Sequence, residues 1–129
     1  MKHVIAAGIL CHDPEVNRIL LVRRVDCGLW SVPGGLIETN ESVAMTALRE
    51  FHEETGVRLH QECLEWIGTN PVIGRDFHMG LFLVRTARFK VTLDGEHSEA
   101  VWFYVPRLVY GDLPDLYPGM EEILRQHVS

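Results

Sequence analysis

Gly35-Leu36-Ile37-Glu38-Thr39-Asn40-Glu41-Ser42-Val43-Ala44-Met45-Thr46-Ala47-Leu48-Arg49-Glu50-Phe51-His52-Glu53-Glu54-Thr55-Gly56-Val57 is the stretch that decides how this 129-residue chain folds. Val43, Ala44, Ala47, Leu48 and Phe51 recur at helical spacing, which predicts a helix from about Ser42 to Thr55 with these side chains facing a core. Each residue advances the helix by about 100°, so Glu50, Glu53 and Glu54 share a neighbouring arc of roughly that width. Ser42 is the expected N-cap, and Met45 at the third helical position excludes a full capping box. Gly56 is placed to end the helix, while Asn40 tolerates the left-handed backbone of a tight entry.

The acidic arc borders the buried face, and that is costly. Carboxylates about 6 Å apart repel by roughly 3 kcal/mol per pair at an effective dielectric near 20. Three such pairs consume a sizeable part of the roughly 5–15 kcal/mol that holds a small domain together. A hard divalent cation such as Mg²⁺ or Mn²⁺ converts the repulsion into affinity, because such ions take carboxylate oxygens. The competing explanation is a solvated acidic face, where repulsion falls below about 1 kcal/mol per pair.

Composition narrows the choice. The chain is long enough for one domain with a core, expected to span residues 1–129, and too short for two ordinary ones. Hydrophobic residues make up 47% without a low-complexity tract, so a folded globular chain is expected. A net charge of -6 argues against general nucleic-acid or acidic-membrane binding, which require a basic face. Cys11, Cys27 and Cys63 show no CxxC spacing and read as reduced packing residues of a cytoplasmic protein. Val4 to Leu10 is short for a signal h-region and reads better as a first strand, and no stretch approaches the roughly 20 apolar residues of a membrane span.

Outward from the central stretch, Val4–Leu10 and Arg18–Arg24 read as strands joined by a turn-rich loop. Trp30-Ser31-Val32-Pro33-Gly34 is irregular and suited to close approach of a ligand. Leu64–Thr69, His78–Val91 and Ala100–Val105 read as further extended segments. Pro106–Gly119 reads as a connector to a last helix, in which Met120, Ile123, Leu124 and Val128 keep helical spacing. The order gives a mixed α/β layered architecture.

The 23 residues from Gly35 resemble the signature of the Nudix hydrolases at every specified position: both glycines, Glu41, Arg49-Glu50, Glu53-Glu54, and apolar Phe51 and Val57. Seven fixed residues at about 7% frequency each make a chance match on the order of one in 10⁸ per start position. The lead-in Trp30-Ser31-Val32-Pro33-Gly34 is also similar, and Asn40 stands where many relatives have glycine. The resemblance implies an α/β/α sandwich with a mixed, partly barrel-like sheet. It implies hydrolysis of a nucleoside diphosphate linked to another moiety, with Mg²⁺ or Mn²⁺ held by Glu50, Glu53, Glu54 and the Gly34 carbonyl. Arg49 would orient the carboxylates and Glu41 would be its structural partner.

Relatives draw their general base either from the helix or from a later loop, here Gly95-Glu96-His97-Ser98-Glu99-Ala100-Val101-Trp102. Glu53 and Glu99 lead, with His97 and Glu96 also candidates as base or extra ligand. Arg23, Arg24, Phe77 and Glu96 are candidates for substrate contact, and Trp66, Trp102 and Tyr104 for an aromatic wall. His78 and Met79 read as core or rim residues. The expected substrate is a small nucleotide, foremost a (d)NTP, with ADP-ribose, another nucleotide sugar or a dinucleoside polyphosphate as alternatives. A non-catalytic nucleotide-binding module on the same fold is the rival class, expected to have lost box glutamates that are all present here. The protein is expected to act as a monomer or homodimer.

Overall fold

A computed structural model of the chain describes residues 3–110 and 115–128. Seven strands form one mixed sheet: β1 (Val4–Asp13), β2 (Arg18–Arg24), β3 (Trp30–Ser31), β4 (Gly34–Leu36), β5 (Glu65–Pro71), β6 (His78–Arg85) and β7 (His97–Tyr104). Helix α1 (Val43–Thr55) lies on one face, and α2 (Val105–Tyr110) and α3 (Met120–His127) lie on the other. β1 runs parallel to β6, while β1–β2, β2–β7 and β5–β6 are antiparallel.

The strand pattern fixes both layers. Side chains alternate across a strand, so Leu10, Ile19 and Leu21 point to α2 and α3, and Ile9, Cys11 and Leu20 point to α1. Ala47 and Phe51 of α1 are fully buried on that second side. Burial of a Phe-sized side chain contributes roughly 1.5–3 kcal/mol, enough to seat the helix with its acidic edge at the sheet's opening.

That opening has a topological origin. β1 and β2 pair only at His12↔Ile19 and Asp13↔Arg18, and then diverge. Into the gap run β3, paired with β2, and β4, paired with β1. The Pro33 carbonyl accepts the Ile9 N–H at 3.0 Å and stitches the crossing between them. The irregular glycine-rich lead-in thus consists of two very short strands filling a split sheet.

The mixed α/β architecture is as expected, and the sheet is not closed, because β5 and β7 end it on opposite sides and do not pair with each other among the described residues. Other expectations need correction. The extended run from His78 leaves the sheet after Arg85, and the last strand begins at His97, three residues before Ala100. The connector after Val105 contains α2, in which Leu108 is buried against the α3 core; residues 111–114 of that connector lie outside the described residues. Cys11 is buried, and burial pushes its thiol up to about 12, but Cys27 and Cys63 are exposed rather than packed. Among the described residues, no helix is long and apolar enough to cross a membrane.

Candidate active site

Helix α1 is set rigidly before it offers any chemistry. Asn40 takes φ 70°, the Ser42 Oγ accepts the Met45 N–H at 3.1 Å, and Gly56 closes the helix at φ 80°. Glu41 is held where the chain enters. Its Oε1 accepts the Glu38 N–H at 3.0 Å and the Thr46 hydroxyl at 2.9 Å. Arg49 meets the same carboxylate bidentately, Nε to Oε2 at 2.7 Å and Nη2 to Oε1 at 2.9 Å. The Arg49 hydrogen bonds lead in holding the Glu41 carboxyl down to about 2, and Glu41 in turn raises the Arg49 guanidinium.

The remaining Arg49 donors reach the acidic edge of the helix. Nη1 donates to Glu50 Oε1 at 2.9 Å and to Glu53 Oε2 at 3.2 Å, and Nη2 donates to the Leu36 carbonyl at 3.2 Å. A planar fork held by one carboxylate can therefore fix two others.

The three glutamates then separate by depth. Glu54 lies one turn beyond Glu50, offset by about 40°, whereas Glu53 falls about 60° to the other side. Glu54 is 1% exposed, but the Glu53 side chain is 52% exposed. Glu50 and Glu54 line a cleft of about 1050 Å³, and Glu53 stands outside that lining. Gly35 makes room for Glu50, since a Cβ there would overlap its carboxyl group. Gly34 presses against Ala7 and Gly8 of β1 in the same way. Burial raises the Glu50 carboxyl above its ordinary value.

Glu54 is the most perturbed of these groups. Burial, followed by the charges of Glu50 and Asp94, pushes it up to about 9. Its Oε2 is buried without a hydrogen-bond partner, and its Oε1 lies 3.6 Å from His97 Nε2. His97 Nδ1 is 3.0 Å from Asp94 Oδ1, and ligand atoms of Glu54, Asp94 and His97 all lie within 4.8 Å of one another. A buried, unpartnered carboxylate oxygen is costly. Glu54 and Asp94 supply the carboxylate oxygens that Mg²⁺ or Mn²⁺ takes, with the His97 imidazole as a third donor, so these residues fit a dication.

The other sequence candidates divide. Arg24, Glu96, His97 and Gly34 line the cleft; Arg23, Phe77 and Glu99 do not. A register shift between Arg23 and Arg24 in the β2–β7 pairing brings His97 to the α1 side, whereas Glu99 shares a face with Phe103 and lies 3.9 Å from Arg23. Phe77 packs on His3 instead. Trp66, Trp102 and Tyr104 are also outside the lining: Trp66 abuts Phe82, Trp102 abuts Phe89, and Tyr104 carries Arg18. His78 sits at the start of β6 with a buried, unpartnered Nδ1, and Met79 lines the cleft.

Sequence reasoning missed Asp94, Asn70, Arg75 and Tyr117. Asp94 had a local signal, an Asx-type turn in which its Oδ1 accepts the Glu96 N–H at 3.2 Å. Tyr117 and Asn70 reach the cleft through contacts distant in sequence and had none.

The chain is thus an α/β/α sandwich with an arginine-braced acidic helix at a split in its sheet. A family model described as the NUDIX domain matches residues 2–127, and the chain belongs to that family. It is 32% identical over 91 residues to an 8-oxo-dGTP diphosphatase of Proteus vulgaris, covering 68% of this chain and 80% of that protein. It is 37% identical over 74 residues to a MutT-like protein of Streptomyces ambofaciens, 57% of this chain and 47% of that one. The chain thus spans about half the length of that relative, and only 28% of a putative 8-oxo-dGTP diphosphatase of Bacillus subtilis. Among solved structures, the MutT protein of Methanosarcina mazei superposes with TM-score 0.79 at 21% identity, covering 97% of this chain and 92% of that one. That likeness concerns the fold.

Proposed function

We propose that the chain hydrolyses the pyrophosphate bond of a nucleoside diphosphate linked to another moiety, foremost a (d)NTP, giving the nucleoside monophosphate and pyrophosphate. The observation that carries this reading is the buried Glu54 carboxyl group, unpartnered at Oε2, in one cleft with Glu50 and His97 and with Asp94 within reach behind His97. Glu50 and Glu54, with Glu53, the Gly34 carbonyl, Asp94 and His97 as further donors, would hold Mg²⁺ or Mn²⁺. When bound, such a cation neutralises phosphate oxygens and brings the pKa of an attacking water toward 7.

The chain's own groups prepare the rest. Arg49 keeps Glu50 and Glu53 in fixed orientation, and Glu41 keeps Arg49. Asp94 contacts His97 Nδ1, which favours the tautomer carrying its proton there and turns the Nε2 lone pair toward Glu54. The exposed position of Glu53 next to Glu50 on the same helix favours it as the base that takes the water's proton, ahead of Glu99 on the strand face away from α1. Gly34 and Gly35 let β4 press on β1 and leave room for the Glu50 carboxyl at the cleft wall.

A second substrate reading, a nucleotide sugar such as ADP-ribose, draws on the segment after β5. Pro71, Val72, Ile73 and Arg75 line the cleft and offer a cation beyond the acidic end. A rat mitochondrial ADP-ribose pyrophosphatase is 40% identical to this chain over 39 residues. The non-catalytic alternative is disfavoured because every box glutamate is present. The expected setting is the cytoplasm, as a monomer or homodimer without a nucleic-acid partner.

A screen of nucleoside triphosphates and ADP-ribose with Mg²⁺ or Mn²⁺, reading released phosphate and pyrophosphate, tests the proposal. Turnover of triphosphates to monophosphate and pyrophosphate is the expected result. Turnover of ADP-ribose alone reverses the substrate ranking, and no turnover of any nucleotide overturns the activity.

A further inference from the structure

Phe77, Trp66, Trp102 and Tyr104, the aromatic side chains that the sequence offered for substrate contact, all lie outside the cleft, yet one aromatic ring does line it. Tyr117 enters from the segment before α3, and among the described residues it is the one Phe, Tyr or Trp in that lining. Its position is over-determined. Its N–H donates to the Trp30 carbonyl at 2.8 Å, and its hydroxyl accepts the Ile73 N–H at 2.8 Å. One residue on, the Pro118 carbonyl accepts Asn70 Nδ2 at 2.9 Å. Over the ring lies the Arg24 guanidinium, 5.8 Å from its centroid. Arg24 is itself held flat by Asp26, with Nε to Oδ1 at 3.0 Å and Nη2 to Oδ2 at 2.7 Å.

From this arrangement we infer that the Arg24–Tyr117 pair is the surface on which the base of a bound nucleotide packs. The inference deepens the proposed reading of the cleft and rests on it. Three observations favour stacking over phosphate capture for Arg24. Its charge is already met by a bidentate carboxylate, its plane is fixed, and its neighbour is a ring. A planar guanidinium and an aromatic ring both offer flat, polarisable faces, and every nucleobase has a matching one. Such a wall selects nucleotides from phosphoanhydrides that carry no base, and it accepts more than one base. The acidic cluster around Glu54 borders the same cleft, so base and phosphates have separate places within it.

Nucleoside monophosphates contain no anhydride to hydrolyse, so equilibrium binding tests the wall without turnover. Calorimetry of the full chain with Mg²⁺ compares AMP and GMP with ribose 5-phosphate. The wild type is expected to bind each nucleotide at least tenfold more tightly than the sugar phosphate. Tyr117→Leu and, independently, Arg24→Met are expected to reduce that preference to within threefold, with folding checked by circular dichroism. Tyr117→Phe keeps the ring, loses the Ile73 contact, and is expected to retain the preference. Wild-type preference in both Leu and Met variants overturns the inference, as does equal binding of nucleotide and ribose 5-phosphate by the wild type. If the hydrolase reading alone fails, triphosphates go uncleaved while the preference and its loss in the variants persist.

Discussion

Replacing Glu54 with glutamine should stabilise the cation-free protein at alkaline pH while removing its activity. The Glu54 carboxyl is pushed up to about 9, mainly by burial, against about 4.5 when unfolded. Between these values the folded chain binds the proton and the unfolded chain has released it. Stability therefore falls as pH rises through that window, by up to about 1.4 kcal/mol per pH unit. From pH 5 to pH 8 this gives an upper bound of about 4 kcal/mol, and relaxation and water entry reduce it to about 2. For a chain of this size that corresponds to roughly 8 °C in melting temperature. Glutamine has the same shape and no charge to bury, so Glu54→Gln should lack this part of the decline. Thermal melts of both proteins in EDTA at pH 5, 6.5 and 8 measure the difference in slope. At pH 8, Mg²⁺ should raise the wild-type melting temperature and leave the variant nearly unmoved, since a ligand stabilises only the state that binds it. Parallel melting-versus-pH lines would refute the argument that Glu54 is a buried acid in want of a cation.

Glu50→Gln should lower kcat at least about 100-fold with an unchanged circular dichroism spectrum, because a carboxylate of the proposed cation site is lost; equal kcat removes Glu50 from the chemistry. Gly35→Ala would drive a methyl group into the Glu50 carboxyl, and we expect kcat to drop at least about tenfold in steady-state assays while the melting temperature moves little. Arg49→Lys cannot reproduce the bidentate grip on Glu41, so its loss in kcat/KM should resemble that of Glu41→Gln, and the double variant should be little worse than either. Glu99→Ala, outside the cleft lining and on the strand face away from α1, should leave the pH–rate profile unchanged, whereas Glu53→Gln should flatten its acidic limb.

Legibility in the sequence followed the range of the forces involved. Helix α1 was readable to within a residue because its periodicity and its caps at Ser42 and Gly56 are local. The Arg49–Glu41 bridge spans eight residues and was implied by a resemblance in the sequence rather than by spacing. The placement of Glu99 was not readable, since one register shift in β7 reverses which side chains face the helix, and a polar loop gives no sign of it. Phe77 looked available for a ligand but pairs with His3 from the other end of the chain. Helix α2 lay hidden in a proline-containing connector because Pro106 stands in its first turn, where the missing N–H costs nothing. Tyr117 gained its place from contacts with Trp30 and Ile73, and no window of residues around it records them.

The parallel pairing of β1 with β6, which sets position 4 beside position 78, has a bearing on biogenesis. The acidic helix and its glycine cradle belong to the first 56 residues, but Asp94 and His97 leave the ribosome later, by about 2–8 s at ordinary elongation rates. Until then the nascent segment has carboxylates and no enclosure around them. The proposed dication site would therefore be complete only once Asp94 and His97 have joined the helix, and a nascent segment that stops short of them should neither sequester magnesium nor attack the nucleotide pool.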